Sequence, residues 1–292
     1  MASDSLEKVG VIGLGIIGSR VAERLRSSDR HVYVWSRSPK PVPNFLSSPA
    51  EITQLATVIQ IFVTNGEALL DVIGQLDGRL TKKHVIINNS TVDPAAAIKA
   101  GELVEAQGAS YLEAPFTGSK EASEKGALVY YIGGNTKILE RVRPLLEVTG
   151  REIIYIGKVG DASLIKIATN MISATTVQIL SEAYALTVSA GLNPDKLIEA
   201  LEHNGCASPL TGMKLPAIIN REYEPHFALK NMFKDAQFAL NLANEYKVDL
   251  PALSTTASVM FRTMQKGHGE EDYASLASNY QEQLVEVEYK PE

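Results

Sequence analysis

The stretch Lys8-Val9-Gly10-Val11-Ile12-Gly13-Leu14-Gly15-Ile16-Ile17-Gly18 decides the fold. Val9 to Ile12 form a short apolar, largely β-branched run, the composition of a strand buried on both faces. Three glycines in a G-x-G-x-x-G pattern follow, and from Ile16 to Ser27 apolar residues return at helical spacing. Strand, glycine turn and helix in that order make a phosphate cradle. Gly13 allows the tight turn, Gly15 lets the backbone approach a pyrophosphate, and Gly18 lets helix and strand pack closely. Through Leu14, Ile16 and Ile17 the helix N-terminus then offers N–H groups and a positive dipole end to the anion.

Outward from this unit, β-branched runs alternate with helical patterns as far as about residue 157. Strands are expected over Lys8–Ile12, His31–Trp35, Val58–Val63, His84–Asn88, Ser110–Glu113, Leu128–Ile132 and Glu152–Ile156. Helices fit between most of them, including Ile16–Ser27, Asp93–Gln107 and Thr136–Val148. This alternation signals an α/β domain, a Rossmann-type doubly wound, mainly parallel sheet. After Gly160 helical periodicity dominates, so an all-α domain is expected to follow, with residues 1–160 and 161–292 as the two domains. Between Ser38 and Pro49 the prolines Pro39, Pro41 and Pro43 leave no room for a full crossover helix. An irregular connection is expected there, ending in a short helix with Pro49 in its first turn.

Composition narrows the function. The 292 residues are 45% hydrophobic, enough for a substantial core, and the net charge of -6 comes from scattered residues. No Lys/Arg-rich run is present to neutralise a series of phosphates, which argues against nucleic acid as a partner. Cys206 is the single cysteine, so no internal disulfide or thiolate cluster can form, and the five dispersed histidines fit no metal motif. Cys206 itself reads as small packing, and Glu270-Glu271-Asp272 as a helix start. The apolar run begins within ten residues of Met1 without a leader-like pattern, and Lys166, Asn170 and Gln178 interrupt the longest weakly charged stretch. A cytoplasmic protein outside the membrane is the expectation.

Cofactor choice is read at the end of the second strand, where a carboxylate would bond the ribose 2′-hydroxyl of NAD. No Asp or Glu occurs from His31 to Ala50. Ser36, Arg37 and Ser38 stand there instead, a guanidinium and two hydroxyls suited to a 2′-phosphate, so NADP(H) is expected. The plainer alternative for Arg37 is an exposed loop cation.

The second domain opens with the chemistry. On the helix from Asp161, residues Ser163, Lys166, Thr169, Asn170 and Ser173 share one stripe at 100° per residue. Between Asp161 and Glu182 the only ionisable residue is Lys166, and Asn170 is its neighbour one turn on. A polar stripe so poor in charge reads as a cavity wall. Carbonyl reduction leaves an alkoxide that needs a nearby proton donor, which a partly desolvated lysine can be while Asn170 orients it or the substrate. The alternative is a snorkelling lysine at a domain seam.

Six motifs in order carry a resemblance: GLGIIG, WSRS, Asn89-Ser90-Thr91-Val92-Asp93, Glu113-Ala114-Pro115-Phe116-Thr117-Gly118-Ser119-Lys120, the helix with Lys166 and Asn170, and Phe227-Ala228-Leu229-Lys230 before Lys234-Asp235. Over essentially its whole length the chain resembles the β-hydroxyacid dehydrogenase family, nearest its glyoxylate and succinic semialdehyde reductase branch. The resemblance implies that Lys166 is catalytic with Asn170 beside it. It implies that Val63, Thr64, Ser90 and Thr91 border the cofactor, with Thr91 also facing substrate. Thr117, Gly118 and Ser119 would hold the substrate carboxylate, Phe227 and Asp235 would shape the pocket, and Lys234 would reach the cofactor from the second domain. NADPH would lie at the carboxyl ends of the strands and a small carbonyl substrate in the interdomain cleft.

Three positions depart from the family pattern. Thr117 stands where a serine is usual, Ile17 where a methionine is common, and the connection after Arg37 is short, which bears on the adenine side. The 6-phosphogluconate dehydrogenases share the first-domain pattern but are far longer and carry a histidine at the position of Thr169. Rival readings are 3-hydroxyisobutyrate or tartronate semialdehyde chemistry, imine reduction, and a catalytically silent NADP-binding interaction protein. Apolar faces on the Ala162–Ala190 helix and later helices exceed what one small domain can bury, so a homodimer or homotetramer is expected.

Overall fold

A computed structural model describes residues 8–284 of the chain. Residues 1–7, on which part of the leader reading rests, lie outside them. By internal contacts the chain divides into two compact units, the first ending at Ile167 and the second beginning at Ala168.

The first unit is built on an eight-stranded sheet. Its strands are β1 (Lys8–Ile12), β2 (His31–Trp35), β3 (Val58–Ile61), β4 (Val85–Asn88), β5 (Ser110–Glu113), β6 (Phe116–Thr117), β7 (Leu128–Gly134) and β8 (Gly150–Gly157). They run in the order β2-β1-β3-β4-β5-β7-β6, with β8 on the other edge of β7. Strands β1 to β5 are mutually parallel; β7 is antiparallel to β5 and β6 and parallel to β8. Helices α1 (Ile16–Arg26), α2 (Pro49–Leu55), α3 (Gly66–Gln75), α4 (Pro94–Glu105), α5 (Lys120–Lys125) and α6 (Thr136–Thr149) complete it.

Burial follows from the sequence pattern. β3 and β4 are apolar at nearly every position and buried at every position, as strands covered on both faces must be. One core joins Val9, Val11, Val34 and Ile87 to Leu25 of α1 and Leu145 of α6; the other joins Ile59, Ile61 and Ile86 to Ile52, Leu69, Ile73 and Ala100 of α2, α3 and α4. This is a Rossmann-type layer structure, as read from the alternation.

Three local features go beyond that reading. The proline-rich connection forms no helix before Pro49; Asn44 and Leu46 instead bond the backbone of Val34, lining the free edge of β2. That placement blunts an otherwise open sheet edge. β6 and α5 occupy a stretch where no element was expected, β6 pairing Phe116 with Tyr130 and Thr117 with Val129. β7 also runs antiparallel to its neighbour β5; residues 114–127 between them carry only β6 and the short helix α5, not the longer crossover that a parallel return needs.

The second unit is helical. α7 (Asp161–Ser189) begins in the first unit and continues into the second, followed by α8 (Asp195–Glu202), α9 (Pro209–Asn220), α10 (Leu229–Tyr246), α11 (Pro251–Gln265) and α12 (Ser278–Leu284). α9 starts on a Ser208–Thr211 capping box with Pro209 at its first position. Short 3-10 turns cover His268–Glu270 and Tyr273–Ala277, the latter capped by Asp272. Cys206 is exposed, which corrects its reading as a packing residue. Among the described residues no helix is long and apolar enough to cross a membrane.

Candidate active site

The glycine turn ends β1, which lies between β2 and β3, the position where strand order reverses and α/β sheets open a crevice. Gly13 has φ 98°, and a Cβ there would meet the Phe62 carbonyl oxygen at 1.9 Å. A Cβ on Gly18 would lie 2.0 Å from the Gly13 oxygen, so helix and turn touch through backbone. Gly15 is different: nothing lies within 4 Å of where its Cβ would be. It is also the N-cap of α1, with no side chain bonding the free amides of the first turn. Open space above uncapped N–H donors fits a pyrophosphate. Leu14 is buried, so it can meet a ligand only through its backbone, while Ile17 is half-buried and packs against the core.

At the end of β2, Arg37 and Ser38 are exposed and the Ser36 hydroxyl donates to the Ser38 carbonyl at 2.7 Å. Lys40 Nζ donates to the Leu14 carbonyl, bringing a further cation to the glycine turn. At the ends of β3 and β4, Ser90 Oγ accepts the Val63 amide at 2.9 Å and donates to Ile61 O at 3.3 Å. Ser90 thereby ties the two strand ends together. Thr64 is exposed, while Val63 and Thr91 are half-buried. Beyond β5, Thr117 and Gly118 are exposed, Gly118 at φ 137°, and Ser119 caps α5 by accepting the Ala122 amide at 3.3 Å.

Lys166 lies on α7 and is 8% exposed; Asn170 follows one turn later at 7%. The start of this helix is fixed by a residue whose role the sequence did not disclose. Glu113, wholly buried at the end of β5, accepts the amides of Gly160, Ala162 and Ser163 on Oε1 at 2.9, 2.7 and 3.2 Å. Its Oε2 accepts the Ser163 hydroxyl at 2.9 Å. Burial pushes this carboxyl above its usual range, and the four donors pull the other way. A carboxylate suits a helix N-terminus. The segment that leads into Thr117–Ser119 is thus the one that anchors the lysine helix.

In the second unit Asn170 Nδ2 donates to Asp235 Oδ2 at 2.6 Å, and Lys234 Nζ is 3.0 Å from Asp235 Oδ1. Asp235 is 1% exposed, so the ion pair and the amide hydrogen bond together offset the cost of burying its carboxylate. Phe227 is half-buried and meets Tyr273 edge-on, ring centroids 6.3 Å apart. The structure gathers Asn170, Lys234 and Asp235 into one cluster and sets Phe227 on the segment that leads into α10.

Residues 8–157 match the NAD-binding domain of 6-phosphogluconate dehydrogenase, just over half of the chain. Residues 160–280 match the NAD-binding region of NADP-dependent 3-hydroxyisobutyrate dehydrogenase. The chain belongs to the β-hydroxyacid dehydrogenase family.

This dehydrogenase is 28% identical to glyoxylate/succinic semialdehyde reductase 2, chloroplastic, of Arabidopsis thaliana over 279 residues, 92% of this chain and 78% of that protein. It is 29% identical to the cytokine-like nuclear factor N-PAC of Anopheles gambiae, matching 92% of its own length and spanning about half, 49%, of that relative. Among solved structures, Mycobacterium tuberculosis 3-hydroxyisobutyrate dehydrogenase with L-serine shares the fold at a TM-score of 0.83, with 22% identity, 94% of this chain and 99% of that one covered. The protein is a hydroxyacid dehydrogenase, an oxidoreductase acting on CH–OH groups with a nicotinamide cofactor.

Proposed function

We propose that this dehydrogenase works as an NADPH-dependent reductase of a small aldehyde or 2-oxo acid of the glyoxylate or succinic semialdehyde kind, with Lys166 giving the proton to the carbonyl oxygen. The observation that carries this reading is the buried Lys166, the sole ionisable residue of α7 between Asp161 and Glu182, one turn from an Asn170 fixed by Asp235. A bound nicotinamide cofactor supplies the hydride. The chain's own part is to place a proton donor beside the oxygen that becomes an alkoxide, and general acid catalysis of this kind contributes about 10² to 10⁴. Asn170, held by Asp235, orients the lysine or the substrate oxygen. Exposed Thr117 and Gly118 with the Ser119 hydroxyl offer donors for a substrate carboxylate.

NADPH over NADH rests on Arg37, exposed at the end of a strand with no carboxylate beside it, and on the reductase named among the relatives. Glyoxylate and succinic semialdehyde lead as substrates on the same relative, and oxo-acids are favoured over imines by the lysine and the carboxylate loop. The single cysteine is exposed, which fits a reducing compartment, and we assign the cytoplasm. A homodimer or homotetramer is supported by α7, where Ile172, Ile179 and Leu186 recur every seven residues and are 62%, 57% and 74% exposed. The reading is tested by an NADPH oxidation panel of glyoxylate, succinic semialdehyde, tartronate semialdehyde and a cyclic imine. Turnover of the oxo-acids above the imine supports it, and turnover of the imine alone overturns it.

A further inference from the structure

Lys214, near the middle of α9, is 3% exposed, and Asp272 is 2% exposed. Their side chains meet at 2.6 Å, Nζ to Oδ1, and the ammonium lies 4.3 Å from the Tyr273 ring centroid. Removing two charges from water is expensive, so such a pair is retained at a cost unless its remaining hydrogen-bond capacity is used. Here the use is specific. Asp272 Oδ2 accepts the amides of both His226 and Phe227 at 3.1 Å, and Oδ1 also accepts the Ala274 amide at 2.9 Å.

Backbone bonds extend the clamp along the same segment. The Asp272 amide donates to Tyr223 O at 2.9 Å, the Tyr273 amide to Phe227 O at 3.1 Å, and the Leu229 amide to Glu271 O at 2.8 Å. Residues 223–229 are thereby held on the 271–273 strip, a miniature antiparallel pairing with Ala228 opposite Asp272. This segment delivers Phe227 and then begins α10, which carries Lys234 and Asp235. Burial pulls the Lys214 pKa down while Asp272 pushes it back up. The cation thus depends on its partner, whose other oxygen grips the two amides of the segment.

We propose that the buried Lys214–Asp272 pair is a positioning device for substrate binding: it fixes the backbone at His226 and Phe227 and, through it, the Phe227 side chain and the entry of α10. The proposal rests on the reading of Phe227 as a pocket residue. Neither side chain touches the reacting atoms; Lys214 acts through Asp272 and Asp272 through the backbone.

Two variants test it, Asp272→Asn and the double Lys214→Met/Asp272→Leu. The double variant avoids stranding the Lys214 charge, which removing Asp272 alone would do, and leaves as its main effect the release of the His226, Phe227 and Ala274 amides that the test reads. Three quantities are measured: amide hydrogen exchange over residues 223–229, KM and kcat for glyoxylate and succinic semialdehyde, and NADPH affinity. The double variant is expected to exchange faster over 223–229 and to show KM raised about tenfold or more, since misplacements of about 1 Å cost on the order of 10²-fold. Saturated kcat should move less than KM, and NADPH affinity should hold. Unchanged exchange with unchanged KM overturns the proposal, as does an equal loss of NADPH affinity or a double variant that does not fold, either of which assigns the pair to general stability. If wild type reduces no carbonyl in the panel, the functional reading fails; the exchange measurement still decides whether the clamp exists.

Discussion

Glu113 and Ser163 are joined at both ends of one contact: the Ser163 hydroxyl bonds Oε2 at 2.9 Å while its amide bonds Oε1 at 3.2 Å. Ser163 stands three residues before Lys166 on α7, so the orientation of the lysine helix follows from a carboxylate on the central sheet. Removing that carboxylate leaves buried donors without partners, which costs about 1–3 kcal/mol for each neutral group. Glu113→Ala is therefore expected to lower Tm by several degrees and to reduce kcat. Thermal melts with steady-state kinetics check this, and a variant with wild-type Tm and kcat would show that the contact anchors nothing.

The same residue gives a pH dependence whose sign is fixed. Its carboxyl is raised in the folded state, above the value of about 4.3 for a free Glu. The stability it contributes is present below the unfolded pKa and lost as pH rises through the folded one. Glu113→Gln cannot ionise, so the wild-type advantage in Tm over this variant should shrink from about pH 4 to pH 7. An advantage that grows over that interval contradicts the assignment.

The three glycines of the turn should separate cleanly. Gly13→Ala must accommodate a Cβ 1.9 Å from a carbonyl oxygen at φ 98°, and Gly18→Ala one at 2.0 Å, so both are expected to destabilise the fold. Gly15→Ala meets nothing within 4 Å and should fold normally while weakening NADPH about tenfold or more, ~1.4 kcal/mol. Melts and cofactor titrations decide; normal NADPH affinity in Gly15→Ala would remove the pyrophosphate from that space.

Arg37→Ala tests the cofactor. Charge-assisted hydrogen bonds are worth about 1.5–3 kcal/mol, so NADPH should weaken on the order of 10- to 100-fold and NADH hardly at all. Equal loss for both sinks the 2′-phosphate reading.

Much of this architecture was legible because its signals are local. The turn is spaced over six residues from Gly13 to Gly18, and Lys166 and Asn170 are a helical turn apart. What stayed hidden depends on pairs distant in sequence. Glu113 was visible only as part of a motif, since its partners lie 47 to 50 residues away. Lys214 and Asp272 are separated by 58 residues, and the run containing Asp272 read only as a helix start. It does cap a short helical turn, but its carboxylate also grips the segment of Phe227. β6 escaped notice because two residues carry no periodicity; only its pairing with Tyr130 and Val129 makes it a strand.

Association can be tested on α7. Ile179→Glu places a charge in the middle of its exposed apolar row and should shift sedimentation toward the monomer without altering Tm greatly. Wild type sedimenting as a monomer at working concentration removes the homo-oligomer from the account.

The most direct test of the central claim is kcat for NADPH-dependent reduction of glyoxylate and succinic semialdehyde by Lys166→Ala, with NADPH binding measured on the same sample. The account predicts a loss of about two to four decades with cofactor affinity intact. A variant that keeps wild-type kcat contradicts it, and the proton must then come from elsewhere.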